Sequence, residues 1–493
     1  MKVFFFGRSC MEELDIAAVV HRSIHGIFAL VTRTLFIQIV GFVVNFLLTV
    51  YLSPSVFGVY FVVTAVIAFL AYFSDIGLAA ALIQKKEQLT KEDLTTTFTI
   101  QQILVIGACL IALFLSPYLS RFYKLDADGF FLLLSLIVAF FLSSLKTIPS
   151  ILLERDLRFE KLVIPQIVET LAFNIVALVC AIKGLGVTSF TLAVLARGIC
   201  GLIAIYVVSP WRISFGISFG TAKKLLSYGI PFQANSFLAL IKDDLLIAYA
   251  GKVLPLAQVG YIGFAQKWAY APLRLISDNV IRIAFPSFAR LQHDADHLGK
   301  AIEKALFGLA FLIFPSLVGL VMLAPTFIVI IPKYHKWEPA ILSLGLFAIN
   351  AALSAVSLPL TNVLNAVGKI KVTLYLMVFW TILTWVLTPL AMYRYGFNGF
   401  AGVSAVISFT VVIVVFVAKR YVSFSLKPIV APMIATVILG IFLYFGNAYL
   451  AKNVATIVAL IVSGSLVYFI SCFLLARSAI MQDIALIRKQ FVK

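Results

Sequence analysis

The sequence predicts an all-α polytopic membrane protein with about fourteen transmembrane helices. Between Ile27 and Ala476, apolar stretches long enough to cross a bilayer core follow one another with mostly short loops between them; each crossing takes about twenty residues. Of all residues, 62% are hydrophobic and only 12% are charged. The continuous runs differ from the short alternating strands of a membrane barrel, so helices are expected.

The predicted spans divide the chain into two groups of six and a final pair. They lie at 27–51, 56–80, 96–119, 129–152, 161–182, 187–208, 225–250, 257–284, 305–331, 340–363, 371–392, 399–418, 428–446 and 453–475. The expected organisation is an N-terminal tail (1–26), a six-helix lobe (27–210), a second six-helix lobe (211–421), helices thirteen and fourteen (422–476) and a C-terminal tail (477–493).

The distribution of basic residues predicts the orientation. Outside the spans, 24 Lys and Arg residues fall on one side and 8 on the other. Cytoplasmic loops are the richer ones, so both termini are expected in the cytoplasm and the protein in the inner membrane. The net charge of +18 is scattered among short loops, which argues against a nucleic-acid surface. The basic and apolar start at residues 2–6 is too short for a signal peptide, and Met11 is a second candidate start.

The first twelve spans carry signs of an internal repeat. Pro54 and Gly58 follow the first span, as Pro255 and Gly260 follow the seventh. Further along, Pro149 matches Pro359, Gly186 matches Gly396, and Asp75 lies near the position equivalent to Asp278. Six spans per copy give both copies the same orientation, an arrangement typical of alternating-access transporters.

Apart from Lys161 and Lys371, at the first positions of their spans, twelve charged residues lie within the predicted spans. The cations are Arg33, Lys146, Arg197, Lys242, Lys267, Arg274 and Arg282, and the acids are Asp75, Glu169, Asp243, Asp244 and Asp278. Each costs about 2.5–3.5 kcal/mol or more at the centre of a membrane, so such groups normally face a partner or a wet cavity. Arg197 and Lys267 lie nearest the midplane, whereas Arg33 and Lys146 can snorkel to the surface.

The eighth span predicts a polar stripe. Lys267, Arg274, Asp278 and Arg282 fall within roughly 80° of arc at about 100° per residue, and Asp278 is four residues from each arginine. One interpretation is an ion-pair network that only joins helices. The other is a cationic lining for an anionic substrate such as a phosphate or pyrophosphate, which arginine binds through its planar fork.

These charges give two sets of candidate site residues. Those for substrate binding are Arg197, Lys267, Arg274, Arg282, Arg33 and Lys242. Those for coupling to protons or sodium are Glu169, Asp243, Asp244 and Asp278; charge balance for neighbouring cations is the alternative role for Glu169 and the Asp243–Asp244 pair. No cofactor is expected, and the cysteines within the spans pack as small hydrophobes. The cluster from His293 to His297 has the composition of a metal site, but a polar loop explains it without a metal.

Five short motifs lie at or near the ends of predicted spans: SPSVFGVY (53–60), SDIGL (74–78), IQKKE (83–87), LERDLRF (153–159) and AFPSFARL (284–291). Together they resemble motifs of the polysaccharide transporter family, within the multidrug/oligosaccharidyl-lipid/polysaccharide exporter superfamily. The resemblance extends from about Arg22 to the end of the chain. It implies a Wzx-type flippase for polyprenyl-pyrophosphate-linked oligosaccharides, with spans thirteen and fourteen as a groove for the lipid tail. Membrane lipid and the polymerase machinery are then the expected partners.

Two other functions remain open from the sequence. A cation-coupled drug antiporter of the same superfamily is the closer alternative, although such antiporters usually have twelve spans. A membrane-bound polymerase, ligase or sugar-phosphate transferase is the other. Polymerases and ligases usually have a long outer catalytic loop, and the longest predicted outer loops here, near 121–128 and 332–339, are short. The transferases need clustered cytoplasmic carboxylates, which the sequence lacks, so no enzymatic activity is expected.

Overall fold

The computed structural model describes residues 36–72, 77–85, 87–156, 158–450 and 453–477, apart from the side chains of 228, 230–239 and 450. All regular structure in these residues is helical. The helices are α1 (Phe36–Tyr51, its described part), α2 (Pro54–Tyr72), α3 (Leu78–Gln84), α4 (Lys91–Phe122), α5 (Ala127–Ser144), α6 (Thr147–Arg155), α7 (Phe159–Ile182), α8 (Thr188–Val208), α9 (Phe219–Val253), α10 (Leu256–Arg290), α11 (Ala295–Ile330), a 3-10 helix (His335–Ala340), α12 (Ile341–Ala366), α13 (Ile370–Tyr395), α14 (Phe397–Ser408), α15 (Val411–Lys419), α16 (Lys427–Leu450) and α17 (Val454–Leu475). Arg33 and Asp75 lie outside the described residues.

The all-α membrane fold is confirmed, and each predicted span overlaps a helix. Eleven helical segments in the described chain are long and apolar enough to cross a membrane. Helices α9 and α10 are not among them because polar and charged residues interrupt their apolar sequence. The described part of α1 is also apolar but short. The number fourteen therefore stays a prediction.

Three predicted spans are not continuous helices, which corrects the sequence-based boundaries. The second is divided between α2 and α3, the fourth between α5 and α6, and the twelfth between α14 and α15. The break in the fourth span falls at Leu145–Lys146, where Lys146 occupies the N-cap position of α6 without a capping hydrogen bond from its side chain. Neither Pro nor Gly occupies that break, so hydropathy could not reveal it.

Contacts between Cα atoms divide the chain into two compact units. The first unit comprises the chain up to Leu48 together with Val63–Phe237, and the second comprises Thr49–Val62 together with everything from Leu238 onward. The predicted lobe boundaries at residues 210 and 421 stay a prediction.

In the first unit, α5 and α7 pack on α8, and α4 packs on α5. A capping box between Thr90 and Asp93 starts α4, because each side chain accepts a hydrogen bond from the other's backbone N–H. The extended segment that links α8 to α9 is held against α4: the Ser218 N–H donates to Thr96 Oγ1 at 3.1 Å. The Trp211 ring packs edge-on to Phe98 with centroids 4.9 Å apart.

The second unit repeats this plan. Helices α12 and α13 pack on α14, and α11 packs on α12. The Ser425 N–H, in the segment before α16, donates to Glu303 Oε1 at 2.8 Å. Thr96 and Glu303 are 207 residues apart, and so are Ser218 and Ser425. The same backbone contact therefore recurs in both copies of the repeat.

A turn glycine recurs as well. Gly186 precedes α8 with φ of 55°, and Gly396 precedes α14 with φ of 58°. These left-handed conformations are strained for residues with a Cβ. They explain why the sequence has glycine at both equivalent positions.

Helices thirteen and fourteen correspond to α16 and α17. Both pack on α11, around buried Leu323, Leu439 and Leu460. The Tyr468 hydroxyl donates to the Phe311 carbonyl at 2.8 Å. The pair is thus attached to the second unit by a buried apolar core and a hydrogen bond.

Within the second unit, α2 and α10 cross with their backbones in contact. A Cβ on Gly58 would lie 1.7 Å from the Leu256 carbonyl oxygen, and a Cβ on Gly260 would lie 1.9 Å from the Pro54 carbonyl oxygen. Each glycine thus faces the residue that lies four positions before the other glycine. The two contacts are equivalent in the repeat, because Gly58 and Gly260 are 202 residues apart, and so are Pro54 and Leu256. The pairs Pro54/Gly58 and Pro255/Gly260, noted in the sequence, lie at this crossing.

Candidate functional site

The first unit contains a cluster of three charged side chains centred on Glu169. The Lys146 Nζ donates to Glu169 Oε1 at 2.6 Å, and the Arg197 Nε lies 3.6 Å from Glu169 Oε2. The Lys146 and Glu169 side chains are 14% and 16% exposed, whereas that of Arg197 is 58% exposed. One carboxylate therefore lies between two cations, one of them mostly buried and the other accessible.

Three helices position this cluster. Lys146 is at the break between α5 and α6, Glu169 is on α7, and Arg197 is on α8. Gly201 lies one turn along α8 from Arg197, and a Cβ there would come within 2.4 Å of Glu169 Oε1. The missing side chain leaves the space that the carboxylate occupies.

The exposed surface of Arg197 is not the lipid-facing side of α8. The apolar residues Leu192, Ile199, Ile203 and Val207 form an exposed row along this helix. Arg197 lies about 80–160° around the helix from the residues of that row, at about 100° per residue. Because a lipid-facing guanidinium is costly, the accessible side of Arg197 is better suited to a wet surface.

Helix α10 of the second unit carries the predicted polar stripe. Lys267, Arg274, Asp278 and Arg282 are all exposed. Among the described residues, no carboxylate oxygen lies within 4.0 Å of Arg274 or Arg282. The ion pairs expected between Asp278 and the two arginines are therefore not formed, and the two guanidinium groups remain accessible.

The charged residues of α9 form a local group. The Lys242 Nζ lies 3.6 Å from Asp243 Oδ1, with the two side chains 31% and 67% exposed. Asp244 is half-buried. Trp385 on α13 donates from its indole N–H to the Ile241 carbonyl at 3.0 Å and so fixes the backbone beside this group.

Two polar residues of the second unit were missed by sequence reasoning. The Tyr270 hydroxyl donates to Asn350 Oδ1 at 2.9 Å, and Asn350 Nδ2 donates to the Ser404 carbonyl at 2.7 Å. Tyr270 is one turn along α10 from Lys267. The signal in the sequence is the uncharged amide of Asn350 within a predicted membrane span, which the pattern of charges does not reveal.

The histidine and aspartate cluster before α11 has a structural role. Asp294 caps α11, because its carboxylate accepts a hydrogen bond from the His297 backbone N–H at 3.1 Å. This hydrogen bond holds the pKa of Asp294 below its usual value of 3.8. Among the described residues, no group of three or more His, Cys, Asp or Glu could hold a metal ion.

The fold and the charged helices define a polytopic membrane protein built from an internal repeat, the architecture of a transporter. Residues 47–342, more than half of the chain, match the model of the family described as "Polysaccharide biosynthesis protein". The chain belongs to this family, which confirms the resemblance to the polysaccharide transporters.

Curated relatives agree with this assignment. An "Uncharacterized membrane protein in cps region" of Klebsiella pneumoniae is 24% identical over 84% of each chain. The "Lipopolysaccharide biosynthesis protein WzxC" of Escherichia coli (strain K12) is 24% identical over 66% of each chain. The "Succinoglycan biosynthesis transport protein ExoT" of Rhizobium meliloti (strain 1021) is 23% identical over 64% of each chain.

Solved structures show the same fold. An inward closed conformation of the lipid II flippase MurJ superposes with a TM-score of 0.76 at 15% identity, covering 91% of this chain and 99% of that one. An inward-facing multidrug resistance MATE transporter of the MOP superfamily gives a TM-score of 0.61 at 15% identity, covering 80% and 95%. At this identity the likeness concerns the fold alone.

Proposed function

We propose that this protein is a flippase that moves polyprenyl-pyrophosphate-linked oligosaccharide repeat units across the cytoplasmic membrane by alternating access. The product serves the synthesis of an O-antigen, capsule or exopolysaccharide. Both termini face the cytoplasm in this proposal. The family, whose named relatives serve polysaccharide biosynthesis and transport, supports the pathway.

The observation that carries the proposal is the accessible arginine in each unit. Arg197 is exposed away from the apolar face of α8, and Arg274 is exposed without a carboxylate partner among the described residues. A pyrophosphate carries several negative charges and matches the fork of a guanidinium. A cationic drug has the opposite charge, so these arginines disfavour the antiporter function despite the shared fold.

The remaining cations extend the proposed binding surface. Lys267 and Arg282 continue the stripe of Arg274 on α10, and Lys242 belongs to the group on α9. Arg33 stays a candidate from sequence alone. For ion coupling, Asp243, Asp244 and Asp278 stay candidates. Asp243 and Asp278 are exposed, and Asp244 is half-buried. Among the described residues, none of the three forms an ion pair with a side chain of another helix.

The test is to deplete the protein and analyse the lipid-linked glycans of the cells by mass spectrometry. Accessibility to an added glycan-modifying enzyme is scored in spheroplasts. A complete repeat unit that accumulates and stays inaccessible from outside supports the flippase. Accumulation on the outer face would instead place the protein after translocation, and uptake of cationic dyes would favour the antiporter.

The arginines are tested by replacement. An Arg197→Ala/Arg274→Ala double variant should insert normally and abolish export of the repeat unit. Arg394→Ala, at the exposed last turn of α13, removes an arginine outside both groups and should leave export unchanged. Wild-type export by the folded double variant would refute the assignment of these arginines.

A further inference from the structure

Glu169 divides its negative charge unequally between its two cationic neighbours. The contact with Lys146 is 2.6 Å long and both side chains are mostly buried, whereas the contact with Arg197 is 3.6 Å and Arg197 is mostly exposed. Short, buried contacts between opposite charges are the stronger ones. Glu169 therefore neutralises Lys146 first and only partly offsets Arg197.

The contact with Glu169 also leaves most of the arginine free to bind. A guanidinium has five N–H donors in a fixed fork, and Glu169 faces the Nε of Arg197. The edge formed by the two terminal nitrogens can bind phosphate in a bidentate manner. The carboxylate thus attracts the Nε side of the guanidinium while its terminal edge stays available.

We propose that Glu169 is a positioning residue that both orients Arg197 and limits how tightly it holds a pyrophosphate. This inference rests on the proposed flippase function. The three groups carry a formal net charge of one positive unit. Without the carboxylate the net charge would be two positive units, and a pyrophosphate would be held more tightly. A flippase must release its cargo on the far side as well as bind it, so tighter binding slows release.

The size of this effect follows from electrostatics. A unit charge roughly 7 Å from the bound anion, at an effective dielectric constant of about 20, changes the anion's affinity by a factor of about 50. Loss of Glu169 should therefore tighten binding of a pyrophosphate, and the slower release should lower the rate of export. A residue needed only for packing would weaken binding when it is replaced.

The test is a charge series measured on the full-length protein in nanodiscs, with geranylgeranyl pyrophosphate as the probe. Glu169→Gln raises the net charge of the cluster and should bind the probe about tenfold or more tightly. Lys146→Gln lowers the net charge and should bind it about tenfold or more weakly. The Lys146→Gln/Glu169→Gln double variant restores the net charge, so its affinity should return to within about threefold of wild type.

Glu160→Gln is the matched control, since it removes the same charge from the exposed start of α7. Its affinity for the probe should equal that of wild type. If Glu169→Gln does not fold, the comparison of Lys146→Gln with the double variant still decides, because removing Glu169 from Lys146→Gln must tighten binding. Weaker binding by Glu169→Gln, or by the double variant relative to Lys146→Gln, would overturn the inference.

The same experiment separates the two proposals. If the wild-type protein does not bind the prenyl pyrophosphate, the proposed function fails. If the wild type binds it, and Arg197→Gln weakens that binding, the function stands. Failure of Glu169→Gln to tighten binding then contradicts the role of Glu169 alone.

Discussion

Replacement of Gly58 by alanine should destabilise the second unit, because the added methyl would meet a backbone atom. Its carbon would lie 1.7 Å from the Leu256 carbonyl oxygen. No side-chain rotation can relieve this overlap, so α2 and α10 must separate by more than an ångström. Overpacking of this kind costs about 1–3 kcal/mol, and a contact with the backbone is expected at the upper end.

Alanine also returns some stability, which must be subtracted. An alanine in a helix is favoured over glycine by about 1 kcal/mol. The net loss for Gly58→Ala is therefore about 2 kcal/mol, which corresponds to a melting temperature lower by roughly 2–4 °C. The assay is thermal unfolding of the purified protein in detergent. Gly308→Ala on α11, where a Cβ would meet nothing within 4 Å, should keep or raise the melting temperature.

The reciprocal geometry sharpens the prediction. A single separation of the two helices accommodates a methyl on Gly58 and a methyl on Gly260. The Gly58→Ala/Gly260→Ala double variant should therefore lose less stability than the sum of the two single variants. A melting temperature for Gly58→Ala as high as that of Gly308→Ala would show that the backbones are not in contact. Strict additivity would show that the two glycines act at independent sites.

Hydrogen bonds to the backbone give further predictions. Trp337→Phe should cost about 1–2 kcal/mol, because it removes the indole donor to the buried Thr49 carbonyl; thermal unfolding measures this, and an unchanged melting temperature would argue against the bond. Glu303→Ala should destabilise the protein by about 1.5–3 kcal/mol, and Glu303→Gln by less, since an amide oxygen can still accept from the Ser425 N–H. The equivalent Thr96→Val replacement should cost only about 0.5–1.5 kcal/mol, because its acceptor is neutral; equal losses at the two positions would contradict the role of charge.

The helices could be predicted from the sequence because burial in lipid demands long apolar runs. Hydropathy located α4, α7 and α17 well. It placed Lys146 within a continuous fourth span, whereas the helix breaks there. A break is decided by what the freed backbone and the side chain can contact in the fold, and hydropathy does not contain that information.

The pairing of charges could be predicted only in part. Glu169 was considered as a charge balance for neighbouring cations, and the structure places it between Lys146 and Arg197. Which cations would reach it depends on how α7 and α8 pack. For Asp278, by contrast, the spacing to Arg274 allowed a pair that is not formed. Spacing along one helix shows which side chains can meet, but their rotamers and neighbours decide whether they do.

The repeat duplicates the backbone frame, whereas most of the charges within the spans occur in one copy only. The glycine at the crossing of α2 and α10 recurs at an offset of 202 residues, as Gly58 and Gly260. The hydrogen bond from the backbone N–H of Ser218 recurs at an offset of 207 residues, as that of Ser425. At the offset of 210 that relates Gly186 to Gly396, however, Lys146, Glu169 and Arg197 correspond to Val356, Phe379 and Ile407.

The cations Lys267 and Arg274 of α10 are likewise not duplicated. At the offset of 202, Lys267 and Arg274 correspond to Ala65 and Tyr72 on α2. Two copies of one scaffold therefore present different chemistry, which suits the proposed cargo, since it has a single charged headgroup. A scaffold shared with transporters of other cargo can persist while the charges change, because the backbone contacts that hold each copy together do not involve them.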